Sequence, residues 1–129
     1  MLIVEDQALM RHALRTVLEN AFPGVAVHEA PDGASALKIC HEHPPQLIVM
    51  DVCLPDGNGI ELTARIKALM PETQVIVISY LSGEAYAEAA RAAGGRAYIC
   101  KDHLISELIP AVSDATGLSP AKGYTRNSH

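Results

Sequence analysis

Five short aliphatic runs, at residues 2–5, 25–30, 47–51, 75–79 and 97–101, begin 22 to 28 residues apart, and no other feature narrows the possible folds as much. An interval of that length holds one strand and one crossover helix, so the chain reads as a βα unit repeated five times. Residues 47–50 and 75–78 are continuously apolar, as strands covered on both faces must be. The run at 25–30 alternates more and carries His28 and Glu29 near its end, which suits a sheet edge.

The segments between the runs carry helix signals. Met10, Leu14, Val17 and Leu18 recur on one helical face, and Phe22, Pro23 and Gly24 end that helix. Asp32 is placed to cap the second helix, which stops before Pro44 and Pro45. Asn58 with Glu61 three residues on approximates a capping box for the third, closed by Pro71. Ser82 is the expected cap of the fourth, which ends at Gly94 and Gly95. The fifth is expected from near His103 to Thr116, with Pro110 kinking it or shifting its start. The fold class that follows is α/β: a flavodoxin-like, doubly wound, five-stranded parallel sheet in the order 2-1-3-4-5, with five helices. One domain over residues 1–116 accounts for the pattern. Residues 117–129 are polar, contain Ser119, Pro120 and Gly123, and are expected to fray.

Composition closes off several functions. Only five residues are Phe or Tyr and none is Trp, so Val, Ile, Leu, Ala and Met must build the core. Ten basic against fifteen acidic residues give a net charge of −5, which disfavours direct nucleic-acid binding. The apolar start, Leu2 to Val4, is too short for a signal peptide or membrane span, so a cytoplasmic location is expected. Cys40, Cys53 and Cys100 have no CxxC spacing and read as reduced thiols. His41 and His43 beside Cys40 read as a solvated helix end rather than a metal cluster.

In doubly wound sheets the functional crevice lies at the carboxyl ends of the strands. Four of the five strands end in residues of one chemical set: Glu5 and Asp6 on the first, Asp51 on the third, Ser79 on the fourth, Lys101 on the fifth. Taken singly, each reads as a cap, a turn former or a solvated strand end; their joint placement is harder to explain that way. Crowded carboxylates repel unless positive charge intervenes, which Lys101 and a divalent cation would supply. Hard oxygen ligands favour Mg²⁺. An in-line nucleophile, cations and a hydrogen-bond donor are what phosphoryl transfer requires, and Asp51, Lys101 with the metal, and Ser79 fit those parts.

The segments Leu2-Ile-Val-Glu-Asp-Gln7, Leu47-Ile-Val-Met-Asp-Val-Cys-Leu-Pro-Asp-Gly-Asn-Gly59, Val75-Ile-Val-Ile-Ser79 and Ala97-Tyr-Ile-Cys-Lys-Asp102 together resemble the receiver domains of two-component response regulators, over residues 1–116. The resemblance implies that Asp51 is the phosphoacceptor, charged from a kinase phosphohistidine. It implies Mg²⁺ bound by Asp6, Asp51 and the backbone carbonyl of Cys53, with Glu5 acting mainly through water. Ser79 and Lys101 would contact the phosphoryl oxygens, and Tyr98 would be the aromatic switch that moves with Ser79. The partners implied are a sensor histidine kinase or phosphotransfer protein, and an output partner or second copy on the face of the fourth helix, fifth strand and fifth helix. No direct nucleic-acid or membrane contact is expected of this domain.

Several positions depart from the commonest pattern. Glu5 stands for Asp and Ser79 for Thr. Tyr80 replaces a small residue and narrows access to Asp51, and Cys53 occupies a position that tunes phosphoryl lifetime; a thiol there predicts slow self-dephosphorylation. Lys101 is followed by Asp102 rather than Pro, and the run Gly117-Leu-Ser-Pro120 looks like a linker start; both are similar to the branch with helix-turn-helix output domains. The alternative is a pseudo-receiver that signals without phosphorylation, which a missing acidic set or Lys would favour. An aspartate-nucleophile phosphatase would need a second Asp where Cys53 stands, so turnover of a small substrate is not expected. Flavin binding is disfavoured by the acidic first turn.

Overall fold

The structure, a computed structural model, describes residues 1–123. Its central strand, β3 (Leu47–Asp51), is buried along its whole length, as its uninterrupted apolar sequence requires. Around it lie β1 (Leu2–Val4), β2 (His28–Ala30), β4 (Gln74–Ser79) and β5 (Ala97–Cys100), all parallel, in the order β2-β1-β3-β4-β5. The expected α/β architecture and strand order are therefore present. A two-stranded antiparallel ribbon, Cys53–Leu54 with Gly57–Asn58, follows β3.

Helices α1 (Ala8–Ala21) and α5 (Leu104–Thr116) cover one face, and α2 (Gly33–Glu42), α3 (Gly59–Leu69) and α4 (Glu84–Ala92) the other. Alternate strand residues feed the two cores. Ile3, Val49, Ile76 and Ile78 pack with Leu14 and Leu18 of α1 and Leu108 and Val112 of α5. Leu2, Val4, Ile48, Met50, Val75 and Val77 pack with Ala36, Leu62, Ile66 and Ala90. Each fully buried Leu or Ile contributes about 2–3 kcal/mol over leaving it in water.

Local chemistry sets most boundaries as the sequence implies. Asp32 Oδ1 accepts from Ser35 N at 2.7 Å at the start of α2, and Asn58 Oδ1 accepts from Ile60 N at 2.7 Å at the start of α3. Two boundaries differ, and Pro110 acts otherwise than expected. Ser82 does not cap α4: Gly83 takes that position at φ +118°, a conformation open to glycine, and no side chain caps the helix. The second strand begins at His28 rather than Val25, because only residues 28–30 are in register with β1. Pro110 does not move the start of α5, which runs unbroken from Leu104. The proline's missing N–H leaves without a helical donor only the carbonyl of Ser106, an exposed residue.

Beyond α5, Gly117 takes a left-handed φ of +77° and turns the chain back. Leu118 packs against the α1–α5 core, and Ala121 N donates to Ala21 O at 2.7 Å. The first residues of the segment expected to fray are thus held; residues 124–129 lie outside the described part.

Candidate functional site

Register alone brings the polar strand ends together. Val4 lies opposite Met50, so Glu5 and Asp51, the next residues on adjacent strands, emerge side by side; Asp51 lies opposite Ile78, so Ser79 follows on the far side. Lys101 begins a single 3₁₀ turn, Lys101–His103, directly after β5, and its side chain turns back over the sheet edge. The result is a pocket of about 280 Å³ lined by Glu5, Asp6, Gln7, Asp51, Cys53, Ser79, Tyr80, Leu81 and Lys101. Of the residues singled out from the sequence, only Tyr98 lies outside this lining.

Charge organises the pocket. Lys101 Nζ lies 2.8 Å from Glu5 Oε1 and 3.2 Å from Asp51 Oδ2. Both carboxylates are nearly sealed from solvent, Glu5 at 0% and Asp51 at 4% exposure. Glu5 Oε2 accepts from Gln7 N at 3.1 Å, and Asp51 Oδ1 from Cys53 N at 3.4 Å. Burial pushes the Glu5 carboxyl above the ordinary glutamate range; Lys101 and the Gln7 amide pull the other way, and Asp51 adds to the rise. Burial works against the Lys101 ammonium, but Glu5 and Asp51 outweigh it and hold its pKa above the ordinary lysine value.

Glu5, Asp6 and Asp51 each offer an oxygen within 4.8 Å of the others, with Asp6 on the solvent side. Three hard anionic oxygens, one of them open to water, fit a cation such as Mg²⁺ that keeps part of its hydration shell. Among the described residues no other group brings three metal-ligating side chains together. Cys40 is buried while His41 and His43 are exposed, and the His43 ring stacks on His28 with centroids 5.2 Å apart.

Two hydroxyl groups hold the loop that follows β4. Ser79 Oγ accepts from Leu81 N at 2.9 Å, and the Tyr98 hydroxyl donates to the carbonyl of the same Leu81. Ser79 and Tyr98 therefore hold one loop residue from two sides. Burial raises the Tyr98 phenol above its ordinary pKa, with Ser79 acting in the opposite sense. Tyr80 is 60% exposed at the mouth, with its ring centre 5.0 Å from Lys101 Nζ, a cation–π contact.

Sequence reasoning missed the residues that support this site from behind. Asp56 accepts from Gly33 N at 2.8 Å and Ala34 N at 3.0 Å, tying the ribbon to the amino end of α2, and these bonds lower its pKa. Gly59 packs its α-carbon against the backbone of Asp51 and Val52 and donates its N–H to Val52 O at 2.7 Å. Arg11 and Glu29 join beneath the Glu5–Asp6 turn. A glycine eight residues after Asp51 was visible as a motif; the bonds from Asp56 to Gly33 and Ala34 and from Arg11 to Glu29 join positions 18 to 23 residues apart with no periodicity to reveal them.

Residues 1–113 match the family described as the response regulator receiver domain. The chain is similar to the transcriptional regulatory protein PdtaR of Mycobacterium tuberculosis, 38% identical over 86% of this chain and 53% of that protein. It is also similar to the chemotaxis protein CheY of Halobacterium salinarum, 33% identical over 88% of this chain and 92% of that one. The chain thus spans about half the length of the regulator and nearly all of the chemotaxis protein. Among solved structures, a two-component response regulator of the LuxR family from Aurantimonas sp. SI85-9A1 superposes with a TM-score of 0.82 at 31% identity, covering 92% of this chain and 85% of that one. The receiver domain of NtrX from Brucella abortus does so at 0.81 and 28% identity, covering 92% and 98%.

Proposed function

We propose that this chain, which belongs to the response regulator receiver family, is a phosphorylation switch: Asp51 takes a phosphoryl group from a phosphohistidine donor and the change is read out on a distant face. The observation that carries the proposal is Lys101 bridging Glu5 and Asp51 at 2.8 and 3.2 Å with Asp6 alongside. Among the described residues no helix is long and apolar enough to cross a membrane.

An Asp51 carboxylate oxygen attacks phosphorus as the phosphorus–nitrogen bond to the donor imidazole breaks. Lys101 already lies on the Asp51 carboxylate and is placed to follow the incoming negative charge. Asp6, Asp51 and the carbonyl of Cys53 would hold Mg²⁺, with Glu5 beside them through water; the metal, when bound, supplies charge neutralisation for the phosphoryl oxygens. The Ser79 hydroxyl donates a hydrogen bond to a phosphoryl oxygen, and the movement draws its oxygen away from the Leu81 amide and releases one of the two holds on that residue. Tyr98, which holds Leu81 from the other side, then repacks, and the equilibrium between two loop arrangements shifts. Leu81, Tyr86 and Ile105 expose apolar surface on the α4–β5–α5 side, the face assigned to an output partner or second copy. Because only a residue of the protein itself is modified, the domain is not an enzyme for a small substrate. Without a strong base at Cys53 to activate water, the phosphoryl group is long-lived.

The test is intact mass after incubation with Mg²⁺ and acetyl phosphate, for wild type and Asp51→Ala. One Mg²⁺-dependent phosphoryl adduct, lost in the variant and formed faster in Tyr80→Ala, is the expected result. Folded wild type that takes no phosphoryl group even from a histidine-phosphorylated domain would instead be an interaction module that signals without phosphorylation.

A further inference from the structure

We infer that Arg11 is a positioning residue for the acidic turn, and that Glu29, on the neighbouring edge strand, sets the orientation of Arg11. The inference rests on the reading of Glu5, Asp6 and Asp51 as a cation site. Arg11 does not line the pocket. Its Nη1 donates to Glu5 O at 2.9 Å and to Asp6 O at 3.4 Å, so one guanidinium holds two successive carbonyls of the turn that carries two of the three carboxylates. Its Nε donates to Glu29 Oε1 at 2.9 Å. The two side chains are 14% and 13% exposed, so the pair is largely shielded from competing water.

The surroundings explain why Glu29 stays fixed. It sits on β2 opposite Ile3, two residues before Glu5, and Glu5 N donates to Ala30 O at 3.0 Å. His12 Nδ1 lies 2.8 Å from Glu29 Oε1 and Arg15 Nη1 lies 3.2 Å from Oε2. A carboxylate held from three directions is a rigid anchor, and a planar guanidinium can satisfy that anchor and the carbonyls together where an ammonium cannot. Asp6 is on the solvent side, so the direction of its carboxylate depends on the peptide planes that Arg11 pins. Residues that orient metal ligands from behind change metal affinity by about tenfold to a hundredfold when removed.

The experiment is calorimetric Mg²⁺ titration of the full chain, with the urea midpoint of each variant measured separately. Arg11→Gln is expected to weaken Mg²⁺ binding about tenfold or more, while the folded state still unfolds cooperatively. Arg11→Lys, which keeps the charge, is expected to restore little of it. Should Arg11→Gln not fold, Glu29→Gln decides the matter: it keeps the shape of the anchor but loses its charge, and a loss in affinity smaller than for Arg11→Gln but clear of error is expected. Unchanged affinity with a lowered urea midpoint would mean that the pair only joins α1 to the sheet, and overturns the inference. Full rescue by lysine would overturn it too, in favour of a bare charge effect. Wild type that binds no Mg²⁺ would remove the cation-site reading itself, an outcome distinct from wild type binding and variants binding equally.

Discussion

Gly59→Ala tests how the site is built, because the cost of one methyl group can be worked from the backbone around it. A Cβ at this position would lie 2.8 Å from the Asp51 carbonyl carbon and 3.0 Å from Val52 Cα, and closer still to the Asp51 carbonyl oxygen. Relaxed contacts need more than about 3 Å to the oxygen and about 3.5 Å between carbons, so either β3 or the first turn of α3 must shift by roughly an ångström. Neither is a flexible side chain. The Gly59 N–H is bonded to Val52 O, and Thr63 Oγ1, fully buried, donates to Gly59 O at 2.7 Å. Overpacking of this kind costs about 3 kcal/mol. With a urea slope of about 1.5 kcal/mol per molar, the unfolding midpoint should fall by about 2 M. Gly57→Ala is the control: its Cβ would meet nothing within 4 Å, so a change within about 0.5 kcal/mol is expected. Urea unfolding followed by far-UV circular dichroism measures both. A Gly59→Ala midpoint equal to that of Gly57→Ala would refute the claim that the backbone of Asp51 is held by this close approach.

Asp51→Asn removes one of three carboxylates whose oxygens lie within 4.8 Å, and it should stabilise the metal-free protein by about 1 kcal/mol even though the contact with Lys101 is weakened. The same scans with Mg²⁺ at a hundred times its dissociation constant should raise wild-type stability by about 2.7 kcal/mol and the variant by much less. The pH dependence follows from Glu5, whose pKa is raised above 4.5 chiefly by burial. In the metal-free protein a raised carboxyl pKa costs stability as pH rises above 4.5, because the folded state holds the proton longer. A cation needs the ionised form, so Mg²⁺ affinity should climb over the same range; titrations at a series of pH values on wild type and Glu5→Gln check this, with a flatter profile in the variant.

The parts of this protein that depend on local pattern could be read from residue order alone. Aliphatic runs at a regular interval fixed five parallel strands, since an uninterrupted apolar run can be satisfied only where both faces are covered. Strand-end chemistry marked Glu5, Asp6, Asp51, Ser79 and Lys101, because the carboxyl ends of the strands frame the crevice of a doubly wound sheet. Asp32 and Asn58 were legible as caps, since a cap acts within three residues of itself. Features whose partners lie far along the chain were decided only in three dimensions. Lys101 reaches Glu5 across 96 positions, and Tyr98 meets Ser79 through the backbone of Leu81. The α4 cap falls to Gly83 rather than Ser82, at a positive φ that glycine adopts readily. Arg11 looks like one more helix-surface charge until the sheet order sets β2 beside β1, bringing Glu29 beneath the acidic turn. Periodicity reports which face of an element is buried, but it does not report what a buried polar group will meet; that is set by register and strand order.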